Sequence, residues 1–197
     1  MITVIVATCG TDWWEAAGDA AARTVNGPLI RVHDPDGSVA SARNAGIEQV
    51  TTEFVCWLDA DDSLTPDYLD RMVEGTADIR QPTVTGWGPV GPPQCRHHGA
   101  PHGATRECLR FGNPFSPGAV VRTALARQHP WDGRWPVLED FAFWRTICAD
   151  PTVTVECIPR AVYRARTIRH RGHRNRSLPR AEWEAVARRI IVEVPFP

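Results

Sequence analysis

Five consecutive apolar residues, Phe54-Val55-Cys56-Trp57-Leu58, run without interruption into Asp59-Ala60-Asp61-Asp62. A short, continuous apolar run of this kind reads as a buried strand. In open α/β sheets the carboxyl ends of the strands face the ligand crevice, so the three carboxylates are delivered to that edge. Alternation along an extended chain makes Asp59 and Asp61 project the same way. Like charges so close repel one another and call for a cation. Oxygen-only donors suit Mg²⁺ or Mn²⁺, which keep coordination positions for phosphate oxygens. The plainer alternative is that Asp61-Asp62-Ser63 is a polar turn leading to the next helix.

The rest of the first half supports a sheet of that type. Residues 2–7 (ITVIVA) and 29–33 (LIRVH) are two further β-branched apolar runs, ending at Thr8-Cys9-Gly10 and Asp34-Pro35-Asp36-Gly37. Between them an alanine-rich stretch from Asp12 to Thr24 carries Trp13, Trp14, Ala17 and Ala21 at helical spacing. After Gly37, Ser38 is an N-cap for a helix with Val39, Ala42, Arg43, Gly46 and Val50 on one face. Thr65-Pro66-Asp67 has the cap, N1 proline and first-turn acid of a helix that turns Leu69, Met72 and Val73 inward before Gly75. Alternating strands and helices predict a mostly parallel sheet with crossover helices.

Beyond Gln81 the pattern loosens. Residues 81–118 are rich in Pro, Gly and His and predict an irregular excursion rather than a linker. Ala119-Val120-Val121 reads as a short strand, Glu139–Ala149 as a helix with Phe141, Trp144 and Cys148 on one face, and Val153–Ile158 as a strand. Residues 160–180 hold eight arginines and two histidines, and 179–191 predict a final helix through Trp183, Val186 and Ile190.

Composition narrows the class. With 197 residues, 43% of them hydrophobic, one domain with a sizeable core is expected. The opening residues read as a first strand rather than a signal peptide, and no stretch is long enough to span a membrane. The six cysteines are scattered, several within apolar runs, which points to buried thiols in a reducing cytoplasm. Residues 1–80 carry 14 acids and 5 arginines, and residues 81–197 carry 9 and 17, so the halves are −9 and +8. Such a pairing can hold a cation on one side and phosphates on the other, or be two solvated faces. The acidic first half and the lack of a nucleic-acid motif argue against nucleic-acid binding. Cys95, His97, His98, His102 and Cys108 could hold zinc, but their spacing fits no standard finger, and a loop lining a cleft is the alternative.

Arg43 falls in the inward stripe of its helix, where an unpaired guanidinium is costly. Its expected partner is an acid such as Asp34, or a ligand whose base or phosphate it can fork; snorkelling at the helix edge is the third option.

The segment Ser38-Val39-Ala40-Ser41-Ala42-Arg43-Asn44-Ala45-Gly46-Ile47, followed by Leu58-Asp59-Ala60-Asp61-Asp62, resembles the A-R-N-x-G and L-D-A-D-D segments of glycosyltransferase family 2, in order and spacing. Glu139-Asp140, with Trp144 and Arg145 following, resembles the family's Glu-Asp motif. The resemblance covers most of residues 1–165 and implies a GT-A fold: Rossmann-like, α/β, in a single domain. Residues 1–80 would form the nucleotide-sugar half, 81–165 the acceptor half, and 166–197 a basic segment and helix. It further implies that Thr8 and Cys9 line the nucleotide pocket, that Asp34 contacts the base, with Asp36 as substitute, and that Arg43 lies against the nucleotide. Asp59 and Asp61 would hold Mn²⁺ or Mg²⁺ and touch ribose or phosphate, His173 would reach the metal or pyrophosphate, and Asp140 would be the catalytic base. The function implied is inverting, metal-dependent sugar transfer from a nucleoside-diphosphate sugar, a UDP-sugar favoured, to a hydroxyl of a glycan, protein or small molecule. A catalytically silent nucleotide-sugar or carbohydrate-binding module is the alternative, and Asp140 as a mere helix cap is its signature. Two departures stand out: the segment before A-R-N is shortened to His33-Asp34-Pro35-Asp36-Gly37-Ser38, and little chain follows the core.

Overall fold

The strands expected near residues 2–7, 29–33 and 54–58 are all present in the structure, a computed structural model that describes residues 1–87, 105–116, 118–166 and 178–197. They are β1 (Ile2–Cys9), β2 (Leu29–Asp34) and β3 (Phe54–Leu58), joined by β4 (Ser63–Leu64), β5 (Ile79–Trp87), β6 (Val120–Arg122) and β7 (Val155–Arg166) in one sheet of order β2-β1-β3-β6-β5-β7-β4. β1 is parallel to β2 and β3, and β5 is parallel to β7. β6 runs antiparallel to both β3 and β5, and β4 antiparallel to β7. Thus β1, β2, β3, β5 and β7 share one direction, and the sheet is mostly parallel.

Two hydrophobic clusters, one on each face, explain the unbroken apolar runs. Ile5, Ala7, Val55, Trp57, Ile79 and Val121 point into one cluster, and their neighbours Val4, Val6, Phe54, Cys56, Leu58 and Val120 into the other. Successive side chains of a strand alternate, so a strand covered on both sides has no polar position to spare. The first face is covered by α2 (Val39–Glu48), α4 (Thr123–Gln128), α5 (Glu139–Cys148) and α6 (Arg180–Glu193), the second by α1 (Asp12–Ala22) and α3 (Tyr68–Val73). Trp131 stacks on Phe143 at 4.2 Å, with Trp57 edge-on to both. Truncating an aromatic as buried as Trp57 or Trp144 to alanine costs about 3–5 kcal/mol.

The helix caps agree with the sequence at α2 and differ at α3. Ser38 and Ser41 form a reciprocal capping box at the start of α2. α3 begins at Tyr68 rather than Pro66, because the Thr65 hydroxyl donates to the Val162 carbonyl at 3.3 Å instead of capping the helix. Tyr68 takes the inward place and is 1% exposed, whereas Val73, expected inward, is exposed.

Three expectations about the second half are corrected. Residues 81–87, expected to be irregular, continue β5, which absorbs Pro82 through a register shift against β7 between Pro82 and Thr83. Proline lacks the N–H a ladder needs, which hid the strand from pattern reading. β7 runs on past Ile158 to Arg166, so the arginine-rich stretch begins as sheet, and α4 was not foreseen. Arg145, buried in α5, donates to the carbonyls of Leu109 at 2.5 Å, Ile191 at 3.2 Å and Val194 at 2.9 Å, which ties α6 into the core.

Candidate active site

β3 stops at Leu58, and the Asp62 N–H donates to the Asp59 carbonyl at 3.0 Å. Asp59-Ala60-Asp61-Asp62 is therefore a turn at the carboxyl edge, so strand alternation does not extend to Asp59 and Asp61. Each acid of the turn has a different setting. Asp59 Oδ1 accepts from Arg43 at 2.9 Å. Asp62 accepts from the Tyr163 hydroxyl at 2.6 Å and from the Arg166 N–H at 2.7 Å, and Tyr163 in turn accepts the Asp59 N–H at 3.3 Å. Asp62 thus latches the turn to the end of β7. Burial, then the charges of Asp59 and Asp61, push its carboxyl well above the ordinary range. Asp61 is half-buried between these two.

Arg43 is only 4% exposed, and its guanidinium spans two acids, Asp59 at 2.9 Å and Glu139 at 3.3 Å, while its Cζ lies 4.1 Å over the Trp131 ring. Burial works against its charge, but Asp59, Glu139 and Asp140 outweigh it and raise its pKa. Asp34, the acid expected to pair with Arg43, instead accepts the Ser41 hydroxyl at 2.7 Å. It is the short connection from β2 to α2 that keeps Asp34 beside the first turn of α2, while Arg43, two residues beyond Ser41 and so on the other side of the helix, faces Asp59.

Each position of the A-R-N-x-G segment has a physical role. Ala42 is fully buried, and Asn44 holds both backbone groups of Trp131, donating from Nδ2 to its carbonyl and accepting its N–H at Oδ1, each at 2.9 Å. At Gly46 an added Cβ would lie 2.6 Å from Ile5 Cγ2, so only glycine lets α2 sit this close to β1. Asn44 thus places the aromatic plate against which Arg43 packs.

Glu139 and Asp140 open α5 directly after Leu138, whose φ of 62° and ψ of 24° put a non-glycine residue in the left-handed region. Such strain, of order 1–3 kcal/mol, persists where surrounding contacts over-determine the backbone, here with Leu138 itself buried. Asp140 Oδ1 accepts the Phe141 N–H at 2.8 Å, and Oδ2 accepts from Asn113 Nδ2 at 2.8 Å. Burial first, then Glu139, raise the Asp140 pKa to about 7 against the opposing pull of Arg43. A carboxyl poised there can accept a proton near neutrality.

The remaining expected residues are distributed unevenly. Thr8 and Cys9 lie at the end of β1, opposite His33 and Asp34 of β2. Thr8 is buried, its hydroxyl 2.9 Å from His33 Nδ1. Asp36 sits in the exposed turn that follows β2. His173 lies outside the described residues, as do His170, Arg174, Arg176, Cys95, His97, His98 and His102; the Cys108 thiol is 3.9 Å from Thr105 Oγ1. Among the described residues no group of three or more His, Cys, Asp or Glu is arranged to hold a metal, and no helix is long and apolar enough to cross a membrane. Sequence reasoning missed Asn113, Trp131 and Tyr163. None had a local signal, since each matters through a partner distant in the chain.

A seven-stranded mixed sheet with an acidic turn after its third strand, facing a second acidic pair at the head of a helix, is the arrangement of the GT-A fold. Residues 14–87 match the family model described as Glycosyl transferase family 2. Over 69 residues the chain is 30% identical to the succinoglycan biosynthesis protein ExoM of Rhizobium meliloti (strain 1021), a match covering 32% of this chain and 22% of ExoM. The crystal structure of S. aureus TarS 1–349 in complex with UDP-GlcNAc superposes with a TM-score of 0.69 at 18% identity, covering 98% of this chain and 66% of TarS. The same fragment in complex with UDP gives 0.62 at 17% identity, over 98% and 64%. The matched region is about a fifth of ExoM, and the chain spans just under two thirds of the TarS fragment.

Proposed function

We propose that this protein transfers a sugar from a nucleoside-diphosphate sugar to an acceptor hydroxyl with inversion at the anomeric carbon. The observation that carries the reading is the link, through Arg43, between the acidic turn after β3 and the acidic pair heading α5, with Asp140 raised to a pKa of about 7. Residues 1–80 form the nucleotide-sugar half, with Thr8, Cys9 and Asp34 at the ends of β1 and β2, and residues 81–165 the acceptor half. UDP is the favoured nucleotide; the TarS structures with UDP-GlcNAc and UDP support it. Among the described residues Cys56, Cys108, Cys148 and Cys157 form no disulfide, which supports a reducing, cytoplasmic setting.

Carboxylate oxygens such as those of the acidic turn are donors of the kind a divalent ion takes. Arg43 occupies Oδ1 of Asp59, while Tyr163 and the Arg166 N–H take both oxygens of Asp62. Asp61, with the second oxygen of Asp59, would hold Mn²⁺ or Mg²⁺, leaving most coordination positions to phosphate oxygens. Bound there, the ion would supply positive charge for the departing diphosphate.

Asp140 accepts the acceptor's hydroxyl proton as the oxygen forms its bond to the anomeric carbon; the bond from that carbon to the diphosphate breaks, and the nucleoside diphosphate leaves with the electron pair. Attack opposite the leaving group inverts the centre, and one placed carboxylate suffices as base. Arg43 holds Asp59 and Glu139 fixed, which reduces the reorganisation needed during reaction.

A radiolabelled-donor assay on the parent and on Asp140→Asn tests the reading. Turnover by the parent and a loss of about a hundredfold to ten-thousandfold in the variant, with donor affinity retained, is expected. Equal turnover in the two would make Asp140 a helix cap and remove it as the base, and binding without turnover in the parent would favour a catalytically silent module.

A further inference from the structure

The loop before β6 places a neutral amide directly on the Asp140 carboxylate. Asn113 Nδ2 donates to Oδ2 at 2.8 Å, and Asn113 Oδ1 accepts the Phe115 N–H at 3.0 Å. That second bond decides the orientation of the amide. With its oxygen turned to a backbone donor, only the NH₂ end can face Asp140. The loop is held on both sides of Asn113 by α5, the helix that carries Asp140. Upstream, Arg145 donates to the Leu109 carbonyl at 2.5 Å, and downstream Phe115 meets Trp144 edge-on at 5.4 Å. The amide and the carboxylate are therefore referenced to the same rigid element.

Asp140 otherwise has little to keep it ionised. Burial and the neighbouring negative charges of Glu139 and Asp59 favour the protonated acid, and Arg43 is the cation that opposes them. The guanidinium of Arg43 is already shared between Asp59 and Glu139. The Phe141 N–H serves only Oδ1. An amide donor on Oδ2 favours the ionised form, cannot itself take up a proton, and fixes the side-chain rotamer.

We propose that Asn113 is a positioning residue for Asp140, pinning Oδ2 so that the carboxylate stays in one rotamer and is available as a base at neutral pH. The proposal rests on Asp140 acting as the base. Two variants separate the contributions. Asn113→Leu keeps the branched outline but removes the donor, and Asn113→Asp keeps the shape but sets a carboxylate against a carboxylate.

The test is the pH dependence of kcat/KM, together with a carboxyl-carbon NMR titration of Asp140, assigned by its loss in Asp140→Asn. In Asn113→Leu the acidic limb and the NMR midpoint should both move up by on the order of one pH unit. Turnover at neutral pH should fall on the order of tenfold while KM for the donor stays within about twofold. Most of the loss should be recovered at higher pH. Asn113→Asp should shift both midpoints further upward. An unmoved NMR midpoint in both variants, or a loss of turnover equal at every pH, would overturn the proposal and leave Asn113 as a loop-holding residue. The NMR arm reads the link between Asn113 and Asp140 without turnover. A shifted midpoint in a protein whose Asp140→Asn variant keeps parental turnover would overturn the base assignment, and with it the proposed role of Asn113 in catalysis.

Discussion

Arg43 and Glu139, 96 residues apart in the sequence, share a charged hydrogen bond of 3.3 Å, and the other arm of the same guanidinium reaches Asp59 at 2.9 Å. Neither acid can lose this partner cheaply, because Arg43 is buried beneath Trp131 and cannot be replaced there by bulk water. Breaking a buried ion pair from one side costs about 3–5 kcal/mol. Arg43→Ala should therefore lower stability by roughly that amount in urea unfolding, and Arg43→Lys should recover only part, since an ammonium cannot fork between two carboxylates. An Arg43→Ala protein of parental stability with weakened nucleotide affinity would show that Arg43 serves the ligand and not the scaffold.

Asp140 should leave a pH signature on stability. Its folded pKa is raised to about 7, above the unfolded value of about 4, so the native state binds more protons across that window and stability falls as pH rises through it. Asp140→Asn removes the titration. The variant should gain on the parent progressively between pH ~4 and ~7 and hold a constant margin above that. Thermal melts at a series of pH values measure it, and a difference that does not depend on pH would refute the raised pKa.

Asp61 and Asp62, adjacent in the turn, should behave oppositely. Asp61→Ala should remove the Mn²⁺-dependent stabilisation by nucleoside diphosphates in a thermal-shift panel. Tyr163→Phe, which strips Asp62 of its hydroxyl donor, should lower stability by about 1–3 kcal/mol while the metal response survives. Loss of the metal response in Tyr163→Phe alone would move the metal site toward Asp62.

Arg145 fastens the end of α6 through the carbonyls of Ile191 and Val194, and the segment before Asn113 through that of Leu109. Arg145→Met fills much of the volume but leaves these acceptors without their donor, at a cost of about 1–3 kcal/mol for each one that stays buried. Hydrogen exchange should rise in residues 180–193 before it rises in β1 or β3. Uniform acceleration across the sheet would mean that α6 unfolds only with the whole.

Local sequence determined a good deal. The apolar runs at 2–7, 29–33 and 54–58, the Ser38 cap and the last helix could be read directly, because strand burial, capping and helical amphipathicity act between residues a few places apart. The A-R-N-x-G, L-D-A-D-D and Glu-Asp segments were equally visible, as was their order. What tertiary structure decided is which of their side chains meet. The acid expected to pair with Arg43 was Asp34, yet Arg43 joins Asp59 to Glu139; Asn113, in a stretch that looked merely irregular, holds Asp140; and Tyr163, within an arginine-rich stretch, locks Asp62. These contacts follow from the crossing of β6 between β3 and β5 and from the seat of α5 against the sheet. Their energies come from burial and from charge at distances of about 3 Å, quantities that depend on the folded geometry and leave no periodic trace along the chain.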